Sequence, residues 1–338
     1  MRKIICILCI IIMLALVMGC QPELIPETDS LVGPMAEPED EIGAEEGELP
    51  GREEISYVSL YFLNPTGDYL FPLSFSYDSQ ATAEDMVRIL QEGPIRKEWG
   101  KSPVPANLAI ESIHKVGQRA LVHVNPGRLE EFLPGEEEML VKALVYSLTS
   151  LNDVSRVEFL QEGKKPEAPF QLLAEENLYS SDDLVLNPME EMDADSSAAR
   201  LWFTNQDVLY MVPVSLPLET VPEDPYELSL LLIDALLAGP DDSLGLLSPF
   251  PEDTRVLSLR VQDETIYVDF NRALKANFTG GSSQEWALLN SLVLTLTEIP
   301  GINQVQILVE GRKEEAVLGH MDTTEPLIRG VVNWVLTD

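Results

Sequence analysis

Two helix endings are spelled alike: RILQEGP at Arg88–Pro94 and DALLAGP at Asp234–Pro240, 146 residues apart (88 to 234). Other matches keep nearly the same offset. Asn125 falls on Asn271, again 146 on, while SLT at Ser147–Thr149 falls on TLT at Thr295–Thr297 and Gly163 on Gly311, both 148 on. A drift of two residues over that length is one small loop difference. The chain is therefore expected to fold as two copies of one module, each of ordinary domain size.

The first copy opens with YVSLYFLNPTGDYLFPLSFSY, two β-rich runs around the turn signal NPTGD, which predicts a hairpin. Thr82 is placed to cap a helix with Met86, Val87 and Leu90 on one face, stopped at Gly93-Pro94. LAIESIHKVGQRALVHV alternates on both sides of Gly117, a second hairpin. Glu136–Ser150 reads as a helix with Leu140, Ala143, Leu144 and Leu148 inward, followed by the strand VSRVEFL and the turn QEGKK.

The second copy repeats the order. ARLWFTNQDVLYMVPVSL supplies the opening strands, with Trp202 and Phe203 matching Tyr61 and Phe62 as core positions. Asp224 caps a helix with Pro225 in its first turn and Leu228, Leu231, Leu232, Ala235 and Leu236 as its stripe, ended by Gly239-Pro240. VLSLRVQDETIYVDF turns at Asp263-Glu264, and Ser282 with Glu285 forms a capping box for a helix to Leu296. INQVQILV and EGRK close the copy. Each copy thus reads strand, strand, helix, strand, strand, helix, strand. The fold class expected is α+β: two tandem two-layer α/β sandwich modules with helices on one face of an antiparallel or mixed sheet. The boundaries expected are 55–178 and 199–338, joined by an acidic linker at 179–198.

The start of the chain has a different character. Arg2 and Lys3 precede the apolar run Ile4–Met18, too short for a spanning helix and of the length of a signal-peptide core. The run ends in LVMGC, which resembles a bacterial lipobox. On that reading residues 1–19 are a lipoprotein signal peptide cleaved after Gly19, and Cys20 carries the lipid, palmitate included. The other reading is an ordinary secretory signal followed by a chance cysteine. Cys6 and Cys9 lie inside the removed segment, so Cys20 is the one thiol left and no disulfide framework exists. Residues 20–54, rich in proline and carboxylates and poor in periodic apolar residues, read as a disordered acidic tether. The location expected is the extracytoplasmic face of the cytoplasmic membrane.

Charge excludes some partners. With 22 basic against 57 acidic residues the chain carries a net −35, so phosphate backbones and anionic lipid surfaces repel it. Nucleic acid is not a partner, and a protein partner should offer a basic surface.

Catalytic constellations are absent from the pattern. No serine sits in a nucleophile elbow, and no catalytic residue or cofactor is assigned. No metal site is expected, the nearest candidates being His114 and His123: a two-residue turn at Gly117 places them diagonally on one hairpin face, near Glu111 or Glu158 as a third ligand. Their counterparts, Arg260 and Asp269, do not reproduce such a pair. Gly280-Gly281 before Ser282 resembles an anion-binding helix entry but lacks the lysine of a phosphate loop. Trp334 has no clear match in copy one; it either closes a sheet as a last strand or stays exposed for a partner.

The ordered set LYFLNPTGDYL, a helix ending L-x-x-GP, a VP or FP step, a hairpin ending VHVN or VDFN, and L-x-x-x-L-T before EGK or EGR resembles the GerM domain, found here twice. It covers nearly all of residues 55–170 and 199–330. His123 departs from it, standing where an acidic residue such as Asp269 is usual. The resemblance implies a lipid-anchored, non-enzymatic protein of sporulation or spore germination. It also implies work by protein–protein contact in an envelope complex. The alternative is a peptidoglycan-binding module that positions wall enzymes; an enzyme acting on wall material is a third reading.

Overall fold

Two β-hairpins of one design open the two modules. The computed structural model describes residues 56–77, 82–190, 192 and 196–335. The expected signal peptide (1–19), Cys20, the tether (20–54) and part of the acidic linker lie outside the described residues. Strands β1 (Ser56–Leu63) and β2 (Leu70–Tyr77) pair antiparallel around the NPTGD turn. There the Asn64 Oδ1 accepts from the backbone N–H of Gly67 at 2.8 Å and of Asp68 at 2.7 Å. A short amide side chain closes a turn this way by standing in for a backbone acceptor.

Helix α1 (Ala83–Glu92) begins with the expected cap. Thr82 Oγ1 accepts from the Asp85 N–H at 3.2 Å, and the Asp85 carboxylate accepts from the Thr82 N–H at 3.1 Å. Met86, Val87 and Leu90 are buried, and Gly93 ends the helix at φ 78°, a conformation that glycine enters without a Cβ clash. The module continues through β3 (Ala109–Val116), β4 (Arg119–Asn125), α2 (Glu136–Leu148), β5 (Arg156–Leu160), the short α3 (Leu172–Glu175) and β6 (Leu178–Tyr179). The sheet order is β3-β4-β5-β6, with β4 and β5 parallel and both outer pairs antiparallel. A parallel pair needs a crossover, and α2 supplies it.

The second module repeats this with β7 (Ser197–Asn205), β8 (Met211–Leu218), α4 (Pro225–Ala238), β9 (Leu246–Leu247), β10 (Val256–Gln262), β11 (Thr265–Phe270), α5 (Ala273–Ala276), α6 (Ser282–Leu296), β12 (Gln304–Val309) and β13 (Leu327–Ile328). Its sheet, β10-β11-β12-β13, has the same directions. Asp224 caps α4 as expected, but Ser229 and Ile233 are buried while Leu231 and Ala235 pack at the margin, so the stripe is slightly rotated. The mixed-sheet α+β class is the one observed.

Helices α2 and α6 are buried on nearly every side. Leu140, Val141, Leu144, Val145 and Leu148 join the main core, whereas Ala143 and Tyr146 pack on Tyr61, Leu70 and Leu186 on the opposite side. A helix covered on both sides is apolar all round, which blurs the single stripe. The duplicated SLT and TLT have a structural role here. Ser147 Oγ accepts from the Tyr61 N–H at 2.9 Å, and Thr295 Oγ1 from the Trp202 N–H at 3.0 Å. Each hydroxyl satisfies a strand donor that no neighbouring strand reaches.

One expectation is corrected. Ser282 and Glu285 do not form a capping box: Gly281 is the N-cap, and the Gln284 side-chain oxygen accepts from its N–H at 3.1 Å. Glu285 turns inward instead. Its fully buried carboxylate accepts from the N–H of His320 at 3.1 Å and of Met321 at 2.9 Å, and faces His320 Nδ1 at 2.7 Å. Glu137, 148 residues earlier (137 to 285), does the same for the Gln171 and Leu173 N–H groups, both at 2.9 Å. A buried carboxylate persists only where donors replace its water, and both copies meet that need with the loop that follows their last long strand.

Candidate functional site

The two modules meet where β2 and β8 come together, and each reaches across to complete the other. The segment after module one supplies Asn187: its backbone oxygen accepts from the Ser215 N–H on β8 at 3.1 Å, and Met189 N donates back to Ser215 O at 3.0 Å. The segment after module two forms β14 (Trp334–Val335), a parallel addition to β2, with Asn333 O accepting from the Ser74 N–H at 3.1 Å. The tails are thus exchanged.

Both asparagine side chains bridge the seam. Asn187 Oδ1 accepts from the Leu70 N–H at 2.9 Å, and its Nδ2 donates to Leu70 O and Pro213 O, each at 2.7 Å. Asn333 Oδ1 accepts from the Met211 N–H at 2.7 Å, and its Nδ2 donates to Met211 O at 2.8 Å and Pro72 O at 2.7 Å. Leu70 and Met211, like Pro72 and Pro213, occupy the same register positions in the two hairpins. The arrangement is a pseudo-twofold axis. Both asparagines are buried and adopt positive φ, 46° and 48°, a region that asparagine tolerates better than most residues.

Packing across the seam is aromatic and apolar. Phe71 of β2 stacks on Tyr210 at 4.0 Å between centroids with 14° between planes. The apolar core runs unbroken from Phe62 and Phe75 in module one to Phe203 and Val214 in module two. To one side, Arg200 lies over the Tyr146 ring at 5.6 Å and reaches Glu298 at 3.5 Å. Glu298 also takes Arg329 at 2.8 Å and the Trp202 Nε1–H at 3.1 Å. Burial pushes the neighbouring Tyr61 phenol up to about 12, so it stays protonated at any physiological pH.

The residues singled out in the sequence fall as follows. His114 and His123 do share one hairpin face, with ring centroids 5.6 Å apart. The two carboxylates nearest in the strand pattern are engaged elsewhere: Glu111 with Asn125 at 2.7 Å, Glu158 with Arg119 at 2.9 Å. Among the described residues no group of three or more His, Cys, Asp or Glu is arranged to hold a metal ion. The counterpart Asp269 accepts from the Gly311 N–H at 2.8 Å, closing the EGRK turn, a bond that His123 has no carboxylate to make. At the Gly280-Gly281 step a Cβ on Gly280 would lie 2.5 Å from Gln284 Cβ, and the Gly281 N–H is already taken by the Gln284 side-chain oxygen at 3.1 Å. Trp334 closes a sheet, that of module one rather than its own, and its side chain stays 53% exposed. Sequence reasoning missed the asparagines, although LVLNP and GVVNW place them 146 apart (187 to 333), the duplication offset itself.

These features define a class: a tandem of two equivalent α+β modules joined about a pseudo-twofold axis by exchanged tails. A family description for sporulation and spore germination, Germane, matches residues 59–167 and 200–315. The chain belongs to that family. Spore germination protein GerM of Bacillus subtilis (strain 168) is 25% identical over 267 residues, 74% of this chain and 70% of that protein. Among solved structures, the tandem GerMN domains of the sporulation protein GerM from Bacillus subtilis match with a TM-score of 0.60 at 23% identity. They cover 81% of this chain and 98% of that chain. The first GerMN domain of the same protein matches over 39% of this chain and 98% of its own, with 21% identity and a TM-score of 0.32.

Proposed function

We propose that this sporulation or germination protein is a non-enzymatic scaffold, lipid-anchored through Cys20 on the outer face of the cytoplasmic membrane, that docks protein partners of an envelope complex. The observation that carries the reading is the exchange of tails at the seam. It fixes the two modules in one body and so fixes the spacing of their outermost strands, β3 and β10, which are sheet edges. Edge strands offer unpaired backbone groups for strand addition, and two held at a set spacing favour a partner that engages both. The family membership and the LVMGC step before a carboxylate-rich tether support the sporulation role and the anchor. The acidic balance favours a basic partner surface and salt-sensitive association.

Affinity capture from crosslinked cells, growing and starved into sporulation, tests the role. Recovery of membrane-complex proteins in the starved sample alone supports it; recovery of wall fragments and wall enzymes in both would favour the peptidoglycan-binding alternative. Replacing Cys20 by serine should move the protein from the membrane fraction to the soluble one, and retention at the membrane would remove the lipid anchor from the reading.

A further inference from the structure

At the turn end of the seam the modules flank an open cavity of about 320 Å³. It exists because the pseudo-symmetry breaks there. Trp99 of module one lies beside Tyr210, with ring centroids 6.5 Å apart, and Tyr210 donates its hydroxyl to Trp99 O at 3.3 Å. The residue 146 positions on (99 to 245) is Gly245, beside Tyr69, the hairpin counterpart of Tyr210. The space around Gly245 is open: a Cβ there would meet only Gln206 Nε2, at 3.6 Å. The cavity includes the room that a second indole would have filled, with the half-buried Trp99 ring on its wall and Tyr69 and Tyr210, 4% and 2% exposed, beneath it.

Its charge has one sign. Asp68, Glu98, Asp207 and Asp242 line it and no Lys, Arg or His does; the cation at its edge, Lys101, donates its Nζ to Thr66 O at 3.3 Å. The Arg96 guanidinium covers one face of Trp99, 5.3 Å from the ring centre, without lining the cavity. We propose that this cavity receives an arginine side chain of a basic protein partner. A guanidinium is flat, so it stacks on aromatic faces, and its fork of donors suits carboxylates at the rim. Lysine presents only a point charge on a flexible stem and gains less from the Trp99 ring. An anionic ligand meets four carboxylates, and a neutral one leaves them without a cation. The proposal rests on the protein-docking reading above, and it is tested apart from it.

The test uses the full chain in detergent and a glycine-serine hexapeptide carrying one arginine, titrated by tryptophan fluorescence. The same peptide with citrulline removes the charge and keeps the shape. Asp207→Asn with Asp242→Asn alters the rim; both residues are exposed, so the fold should persist. Glu219→Gln with Glu223→Gln, exposed and outside the cavity lining, makes the same change in net charge as a control. The expected result is arginine binding weakened about tenfold by citrulline or by the rim pair, and less than about twofold by the control pair. Equal weakening by both pairs, equal binding of both peptides, or no binding of the arginine peptide would overturn the proposal. If cellular partners are captured equally by the rim variant and the parent, the cavity assignment fails while the scaffold reading stands. If the arginine peptide binds as expected but no envelope partner is captured, the scaffold reading fails and the site remains.

Discussion

Asn187 and Asn333 do the same work from opposite sides of the pseudo-twofold axis, each holding β2 and β8 together with one carboxamide. Each satisfies a backbone N–H and two carbonyls that the hairpins leave unpaired at the seam. Alanine at position 333 strands all three groups in a buried site, and each such loss costs on the order of 1–3 kcal/mol. Asn333→Ala should lower stability by roughly 3 kcal/mol after partial hydration of the site. The measurement is chemical denaturation followed by circular dichroism. Because the residue serves both modules, one cooperative transition should shift as a whole; two separated transitions would show modules that unfold independently.

Glu285 links stability to pH. Burial alone would raise its carboxyl, but the Met321 and His320 N–H groups and the His320 ring outweigh burial and hold it below the ordinary value. A carboxyl with a depressed folded pKa contributes stability that is fully present above its unfolded value, about 4.3, and is lost as pH falls through the lower folded value. Glu285→Gln should be less stable than the parent at pH 7 by about 1–3 kcal/mol, with a shallower loss below pH 4. Parallel stability curves from pH 7 to pH 3 would show that this carboxylate is not the group responsible.

Arg200 and Tyr146 belong to different modules, so their contact reports on the seam. A guanidinium over a partly desolvated ring contributes about 0.5–2 kcal/mol. A double-mutant cycle of Arg200→Met and Tyr146→Leu should show coupling of roughly 1 kcal/mol. Strict additivity would mean that the ring contact adds nothing beyond separate burial.

The histidine pair on the β3–β4 hairpin should not hold zinc tightly, because Glu111 and Glu158 are bonded to Asn125 and Arg119. Calorimetric titration with zinc should show no saturable heat at micromolar protein that a His114→Ala, His123→Ala double variant abolishes. A one-to-one isotherm lost in that variant would overturn this.

What the sequence determined by itself is local or repeated. Thr82 with Asp85, Asn64 with its turn, and the glycine after each first helix act within five residues, where the chain is close by covalent connection. The duplication was legible for a similar reason, since the same local signals recur at one offset. Glu285 is ambiguous in the sequence because its position suits either a cap or an inward clamp, and only the loop at His320, 35 residues on, decides between them. The tertiary structure decided the seam. Asn187 meets Leu70 across 117 residues and Asn333 meets Pro72 across 261, and no periodicity or cap connects groups so far apart along the chain. Two similar modules permit many ways of meeting. The one adopted is set by which buried backbone groups each tail can satisfy, and that depends on where both hairpins already stand.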